Sequence, residues 1–214
     1  MTQPNATIPT LPPTSDGVCE ACRATLPLYG EYERRRSIPS DIVDHLPELY
    51  HWARGWHFAH IVELGTRSGN STSAFLAGVE ADRRGHVWSF DLDQAQVPDS
   101  WHGSEYWTFT RADALSPAAL AAAPAGIEVL FIDLDPHSFD QTLAALSLWA
   151  PRVVPGGVIL CHDTEWPEVN YVRPGAAESG VGRALDVYAG LHGLEWRNKS
   201  GCNGLGIMRI RGDA

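Results

Sequence analysis

From residue 60 onward, short apolar runs alternate with segments of helical spacing, and this alternation constrains the fold more than any other feature. The apolar runs cover residues 60–64, 86–92, 106–111, 127–133 and 157–161. Helical patterns separate several of them, around residues 72–80, in an alanine-rich stretch after residue 111 and at 138–149. Buried strands that alternate with helices form a parallel sheet with helices on both faces. The sequence therefore predicts an α/β fold with a doubly wound, mostly parallel sheet.

The two ends of the chain follow different patterns. A helix predicted at residues 181–191 precedes two strands, at 194–197 and 206–210, whose Gly- and Asn-rich connection predicts a C-terminal antiparallel hairpin. Ser40 and Asp41 mark a helix start, and Pro47 predicts a kink or a fresh start within that helix. Residues 1–16 have little to bury and are expected to form a flexible leader. We therefore divide the chain into an N-terminal leader and extension, 1–37, and a domain, 38–214.

Charge and hydropathy exclude several classes of partner. The formal net charge of -10 argues against a surface for nucleic acid or an anionic membrane, because both need clustered cations. No apolar run reaches the roughly 18 residues of a membrane span, and the N-terminus lacks the features of a secretory signal. We therefore expect a cytoplasmic protein. Cys19 and Cys22 form a C-x-x-C without a second pair at zinc spacing, and free thiols are the expectation.

A glycine turn follows the first predicted strand and opens a helix. Open α/β sheets bind ligands at such turns, and Gly65 and Gly69 allow tight turning and close approach of a ligand. Arg67 stands where the dinucleotide fingerprint requires a second glycine, which favours a cofactor without a pyrophosphate. An ordinary βα turn is the alternative.

Acidic residues follow the next two strands. Asp91 lies about 20 residues beyond the glycine turn, where a carboxylate can accept hydrogen bonds from ribose hydroxyls. Asp113 follows the third strand and is suited to an adenine amino group, although aspartate is equally common at helix caps. Both positions predict a nucleoside-containing ligand, with solvated strand-end carboxylates as the alternative.

Two carboxylates and a histidine follow the fourth and fifth strands. If these strands are neighbours, Asp133, His162 and Asp163 meet at one rim of the sheet. Two carboxylates and an imidazole can hold a divalent cation with positions open for substrate, and the oxygen ligands favour Mg²⁺ or Mn²⁺. Strand-end caps, or residues that only touch the cofactor, are the alternative.

These motifs together resemble the class I S-adenosylmethionine-dependent methyltransferases. The segments that carry the resemblance are Val62 to Thr72, Phe90-Asp91, Phe131-Ile132-Asp133 and Pro155 to Leu160. His162-Asp163-Thr164 and Asn203 to Gly206 look closest to the branch with macrolide-sugar O-methyltransferases and cephalosporin-hydroxylase-like proteins. The resemblance covers roughly residues 38–210 and implies a Rossmann-like, seven-stranded sheet.

The resemblance also implies roles for individual residues. Glu63 would lie near the amino group of the cofactor, and the turn from Gly65 would hold its methionine part. The implied cofactor contacts are Glu63, Gly65, Thr66, Arg67, Gly69, Asn70, Ser71, Asp91, Leu92, Asp113, Ala114 and Asp133. The implied metal ligands are Asp133, His162 and Asp163, although relatives usually carry an acid or an amide where this chain has His162.

The expected activity is transfer of a methyl group to a hydroxyl of a small molecule, a sugar or polyketide-type natural product. Asp133 and His137 are the expected catalytic residues, with His137 as the base; a helix-capping role is the alternative for His137. Pro136 stands where catechol-type relatives carry a lysine. The resemblance allows a homo-oligomer, and residues 165–180 are expected to form a substrate lid.

Three other functions stay open at this point. The first is a metal-independent methyltransferase that acts on nitrogen or an acidic oxygen. The second is a non-catalytic partner of another biosynthetic enzyme, and the third is an NAD-dependent oxidoreductase. Arg67 in the glycine turn counts against the third.

Overall fold

Seven strands and six α-helices make up the part of the chain that the structure, a computed structural model, describes: residues 26–56, 59–167 and 179–212. The strands are β1 His60–Leu64, β2 His86–Asp91, β3 Trp107–Arg111, β4 Ile127–Ile132, β5 Val153–His162, β6 Trp196–Lys199 and β7 Leu205–Arg209. The helices are α1 Pro27–Arg36, α2 Leu46–Trp52, α3 Asn70–Asp82, α4 Pro117–Ala122, α5 Phe139–Trp149 and α6 Gly180–His192.

The strands form one mixed sheet in the order β3-β2-β1-β4-β5-β7-β6. Strands β1 to β5 are parallel, and β7 lies antiparallel between β5 and β6. Leu64 lies opposite both Phe90 and Ile132, and Ile132 lies opposite Cys161. The carboxyl ends of four parallel strands therefore meet at one edge, and the predicted α/β fold with its C-terminal hairpin is confirmed.

Helices cover both faces of this sheet. Helices α1, α2 and α3 bury their apolar residues against one face, and residues of α4, α5 and α6 pack against the other. Side chains of β4 alternate between the two layers: Val129 and Phe131 face the first, Leu130 and Ile132 the second. A strand buried on both faces explains the continuous apolar runs of the sequence.

Pro47 restarts a helix, one of the two outcomes expected for it. A single 3₁₀ turn, Val43–His45, ends where α2 begins at Leu46, with the proline in the first turn of α2. A proline there lacks only an N–H that would have no partner within the helix, so it is tolerated.

Helix α1 lies within the predicted N-terminal extension, yet it packs on the core of the sheet. Leu28, Tyr29 and Tyr32 are buried in the layer that includes α3, and the main-chain N–H of Tyr29 donates to Glu80 Oε2 at 2.8 Å. The boundary at residue 37 stays a prediction. Among the described residues, every helix is too short or too polar to span a bilayer.

Candidate functional site

The glycine turn joins β1 to α3 at the carboxyl edge of the sheet. Gly65 has a φ of +94°, and a Cβ atom at this position would collide with the main-chain carbonyl oxygen of Asp133. Gly69 is the N-cap of α3, with a φ of +78°. Gly65 needs a positive φ and also lies in direct contact with the end of β4. Only glycine, which has no Cβ atom, can satisfy both requirements. The turn therefore lies directly beside the first residue after β4.

Asp91 holds the glycine turn in place. Its Oδ2 atom accepts hydrogen bonds from the main-chain N–H groups of Thr66 and Arg67, both at 2.8 Å, and its Oδ1 atom accepts one from Asp93 at 3.0 Å. Burial alone would raise the pKa of Asp91, but these main-chain donors hold the pKa below its ordinary value. The structure thus gives Asp91 a supporting role in the turn, and its contact with ribose stays a prediction.

Glu63 lies behind the turn rather than on its open side. Its carboxylate is fully buried and accepts hydrogen bonds from the hydroxyls of Ser71, Thr72 and Ser89 at 2.6–2.8 Å. Burial raises the pKa of Glu63 to about 7 despite these donors. Here Glu63 ties β1 to α3 and β2, and its expected contact with the cofactor amino group stays a prediction.

The remaining predicted cofactor residues lie around the same edge. The side chain of Arg67 is exposed and lies 3.4 Å from Asp41, and Asn70 Oδ1 accepts a hydrogen bond from Arg35. Leu92 is exposed and follows β2. Asp113 Oδ1 accepts the main-chain N–H of Leu115 and shapes the turn after β3. The carbonyl of the buried Ala114 accepts the indole N–H of Trp149.

The structure brings the three predicted metal ligands together. Asp133 follows β4, while His162 and Asp163 lie at the end of the neighbouring β5. The Nδ1 atom of His162 lies 3.4 Å from Asp133 Oδ1 and 3.2 Å from Asp163 Oδ2. On the other side of the ring, Nε2 contacts the carbonyl oxygens of Cys202 at 2.9 Å and Asp41 at 3.2 Å. Because both of these partners are acceptors, Nε2 carries a proton and donates.

This arrangement sets the electrostatics of the cluster. Burial alone would lower the pKa of His162, but the hydrogen bonds and charges of Asp133 and Asp163 raise it to about 11. For Asp163, burial would raise the pKa, and the imidazole of His162 lowers it. Without a cation, the imidazole is therefore the positive partner of the two carboxylates.

His137 belongs to the same cluster. Its Nδ1 atom lies 3.1 Å from Asp163 Oδ2, yet this buried nitrogen has no hydrogen-bond partner among the described residues. One ligand atom each from Asp133, His137 and Asp163 can lie within 4.8 Å of one another. Among the described residues, the group that could hold a divalent cation of the Mg²⁺ or Mn²⁺ type is therefore the two predicted carboxylates with His137, and the predicted ligand His162 is not in that group.

Two residues near the turn and the cluster were missed from the sequence. Arg35 reaches the glycine turn from α1, and the buried His45 bonds the carbonyl of Gly201 through Nε2 at 2.7 Å. Both contacts join segments far apart in the chain, and no local motif indicates them. The run of three arginines, Arg34 to Arg36, was the only available signal.

Some predictions lie outside the described residues. These are the leader of residues 1–16, the C-x-x-C of Cys19 and Cys22, and most of the expected lid, of which only residues 165–167 and 179–180 are described.

Comparisons with known proteins address the family. A family model described as "Methyltransferase domain" matches residues 62–164. That span begins in β1 and ends just after Asp163, so it contains the glycine turn and the acidic cluster. Residues 62–164, just under half of the chain, are thus a methyltransferase domain, as expected for an S-adenosylmethionine-dependent methyltransferase. The expected superfamily is thereby confirmed, and the oxidoreductase alternative is set aside.

Solved structures support the fold of this methyltransferase. The O-methyltransferase NovP has a TM-score of 0.58 at 14% identity, over 79% of this chain and 80% of that one. The S-adenosylhomocysteine-bound methyltransferase PaMTH1 of Podospora anserina has a TM-score of 0.57 at 16% identity, over 95% of this chain and 100% of that one. The mycinamycin-pathway methyltransferase MycE, in complex with Mg and S-adenosylhomocysteine, has a TM-score of 0.61 at 13% identity. That alignment covers 85% of this methyltransferase and 54% of MycE. A comparison with curated proteins finds no match.

Proposed function

We propose that this methyltransferase is a divalent-metal-assisted O-methyltransferase that acts on a hydroxyl of a small molecule. The observation that carries the proposal is the contact between Gly65 and the main-chain carbonyl of Asp133. The side chain of the same aspartate faces His162. Asp133 therefore belongs both to the glycine turn, where the methyl donor would bind, and to the cluster of Asp133, His162 and Asp163. A hydroxyl held at the cluster would therefore lie next to the methyl group.

The reaction needs an oxygen nucleophile in line with the sulfonium. The acceptor oxygen attacks the methyl carbon, the C–S bond breaks, S-adenosylhomocysteine leaves and the hydroxyl proton passes to a base. A bound divalent cation would lower the pKa of the hydroxyl and fix its position. Orientation supplies much of the remaining acceleration, because the sulfonium is already reactive.

Asp133 and Asp163 are the proposed ligands of that cation, with His162 as the third ligand, which leaves His137 free to serve as the base. In its neutral form, His162 would keep the proton on Nε2, which bonds the carbonyl of Cys202, and would present the lone pair of Nδ1 to the cation. Metal-bound histidines commonly donate their second N–H to such a carbonyl, which fixes the orientation of the ring. The neighbour MycE, whose structure is a complex with Mg and S-adenosylhomocysteine, supports the proposal of a metal.

His137 is the proposed base. It lies beside Asp163 just before α5, and imidazole is the side chain most often used to take up a proton in catalysis. The adjacent carboxylate would stabilise the imidazolium that forms. Metal affinity separates this role from a ligand role, since a base is dispensable for metal binding.

A metal-independent methyltransferase is the second candidate function. His162 Nδ1 lies between two carboxylates at 3.4 and 3.2 Å, so an imidazolium can supply the positive charge of a cation. In that case the enzyme would retain full turnover in EDTA.

The proposed acceptor is a sugar or a polyketide-type natural product. The similarity to the O-methyltransferase NovP and to MycE, a methyltransferase of the mycinamycin biosynthetic pathway, supports O-methylation in a biosynthetic pathway. The net charge of -10 disfavours a nucleic-acid acceptor. A cytoplasmic location and a homo-oligomer are part of the same proposal; fractionation and light scattering test them.

The experiment is a thermal-shift titration with S-adenosylhomocysteine, with and without Mg²⁺, Mn²⁺ or EDTA, followed by mass-spectrometric screening of hydroxylated acceptors. A ligand at about 100 times its dissociation constant should stabilise the fold by about 2.7 kcal/mol. A shift with S-adenosylhomocysteine that grows with metal, and a mass gain of one methyl group that EDTA abolishes, would support the proposal. Methyl transfer that is indifferent to EDTA would favour the second candidate.

A further inference from the structure

Arg35, in the last turn of α1, contacts the glycine turn from a helix outside the matched methyltransferase segment. Its Nη1 atom donates to the carbonyl oxygen of Ser68 at 2.7 Å and to Asn70 Oδ1 at 2.8 Å. Its Nε atom donates to Glu31 Oε1 at 2.8 Å, one helical turn back. The residue is 8% exposed, so this cation is almost completely desolvated.

An aromatic ring fixes the guanidinium from one side. The Cζ atom of Arg35 lies 5.3 Å from the ring centroid of the fully buried Trp101. The same indole covers Gly69, because a Cβ atom there would lie 2.9 Å from Trp101 Cζ3. Arg35 thus restrains Ser68 and Asn70, the residues on either side of Gly69, and Trp101 restrains Gly69 itself.

The stability of α3 does not explain this arginine. A helix N-terminus carries a partial positive charge, so a cation beside it is electrostatically unfavourable. The guanidinium lies beside Asn70, the first residue of α3, and Glu31 offsets its charge. What the arginine adds is a fixed main-chain geometry at Ser68 and a fixed rotamer at Asn70.

We infer that Arg35 is a positioning residue of the cofactor site, which holds the turn of residues 68–70 in the conformation that receives the methionine half of S-adenosylmethionine. This inference rests on the proposed placement of that half at the glycine turn. It makes α1 part of the cofactor site. The resemblance implies that the adenosine half contacts Asp91 and Asp113, after β2 and β3. Arg35 contacts Ser68 and Asn70 instead, so we expect little effect on that half.

Two ligands separate local positioning from general stability. S-adenosylhomocysteine carries the amino-acid half of the cofactor, whereas 5′-methylthioadenosine lacks it and keeps the adenosine. Calorimetric titration of the full chain with both ligands compares wild type, Arg35→Gln, Arg35→Lys and Asn70→Ala. Arg36→Gln is the matched control, since its guanidinium lies on the same turn of α1 but contacts Glu33 and the ring of Tyr32 instead of the glycine turn.

We expect Arg35→Gln to lower the affinity for S-adenosylhomocysteine about tenfold, which is the effect of losing a charge-assisted hydrogen bond. The affinity for 5′-methylthioadenosine should change by less than about twofold. Arg35→Lys lacks the planar guanidinium with its several N–H donors, and Asn70→Ala lacks the amide that Arg35 contacts. Each should lose less affinity for S-adenosylhomocysteine than Arg35→Gln, again with little change for 5′-methylthioadenosine. Arg36→Gln should bind both ligands like wild type.

Three results would overturn the inference. One is an unchanged affinity for S-adenosylhomocysteine in Arg35→Lys and Asn70→Ala, which test the role even if Arg35→Gln does not fold. Another is an equal loss for both ligands, which would assign Arg35 to general stability. Absence of S-adenosylhomocysteine binding to the wild type would remove the cofactor proposal as well, and so differs from a failure of Arg35 alone.

Discussion

The Nδ1 atom of His137 lies 3.1 Å from Oδ2 of Asp163, and both residues have left-handed backbones, with φ of +58° and +63°. Such a conformation costs a non-glycine residue on the order of 1 kcal/mol or more, and it persists only where the surrounding fold imposes it. Two strained residues that point their side chains at each other across β4 and β5 are typical of a functional site.

Replacement of His137 should separate chemistry from binding. We expect His137→Ala to lower the rate of methyl transfer by about 10²–10⁴-fold, the usual contribution of a general base. Affinities for S-adenosylhomocysteine and Mn²⁺ should remain within about threefold of wild type, because neither depends on the base. Single-turnover kinetics and calorimetry measure the two effects. A large loss of Mn²⁺ affinity would instead identify His137 as a ligand.

His162 should control both metal affinity and the stability of the metal-free protein. His162→Ala leaves Asp133 and Asp163 without their positive partner, and we expect a loss of stability on the order of 2–4 kcal/mol in EDTA. Electron paramagnetic resonance should detect at least about tenfold weaker Mn²⁺ binding. Exposed His102, replaced by alanine, is the control. Undiminished Mn²⁺ binding would remove His162 from the ligand set.

The same histidine predicts the pH dependence of the metal-free wild type. Its pKa rises from the ordinary 6.5 to about 11 on folding, so the folded state binds a proton more tightly. This contribution is fully present below pH 6.5 and is lost as the pH rises through about 11. Urea denaturation in EDTA should show this decline in wild type and much less of it in His162→Ala.

The charged form of Glu63 destabilises the fold because it is buried, whereas the charged form of His162 stabilises it. Its pKa rises from 4.5 to about 7, so folding stability should fall as the pH rises across that interval. The amide in Glu63→Gln cannot ionise, and relative to wild type it should gain on the order of 2–3 kcal/mol between pH 5 and pH 8. Paired urea titrations at several pH values measure the difference. Parallel profiles for the two proteins would contradict the raised pKa. Glu33→Gln, which removes a partly exposed carboxylate paired with Arg36, serves as the control.

Gly65 should tolerate no side chain. Gly65→Ala suffers both a left-handed backbone and a collision with the carbonyl of Asp133. Gly55 has a similar φ of +84° with open space around it, so Gly55→Ala suffers only the backbone cost of about 1–2 kcal/mol. We expect a clearly larger loss of melting temperature in Gly65→Ala, together with loss of cofactor binding. Equal losses would mean that the turn can move away from β4.

The sequence predicted the order and type of the elements well, because strands such as β1 and β4 are buried on both faces and read as continuous apolar runs. The start of β5 was placed at residue 157 instead of Val153, since Pro155 and Gly156 resemble a loop. The glycine turn, Asp91 and the Asp133–Asp163 cluster were predictable, because each follows a parallel strand at the same edge.

Other parts of the site depend on packing that local patterns do not contain. The contact of Arg35 with Ser68 joins positions 33 residues apart, and that of His162 with Cys202 joins positions 40 residues apart. The inward position of Glu63 depends on hydroxyls from α3 and β2 that close around it only in the folded sheet. Distant pairs of this kind require the three-dimensional arrangement.

The insertion of β7 between β5 and β6 has a consequence for how this enzyme is made. The hairpin that it closes supplies the Cys202 carbonyl for His162 and the Gly201 carbonyl for His45. A ribosome that has translated the matched segment through residue 164 has therefore not yet delivered the parts that orient its histidines. The five parallel strands are complete at that point, but His162 and His45 gain their carbonyl partners in the hairpin only when the last two strands have been made.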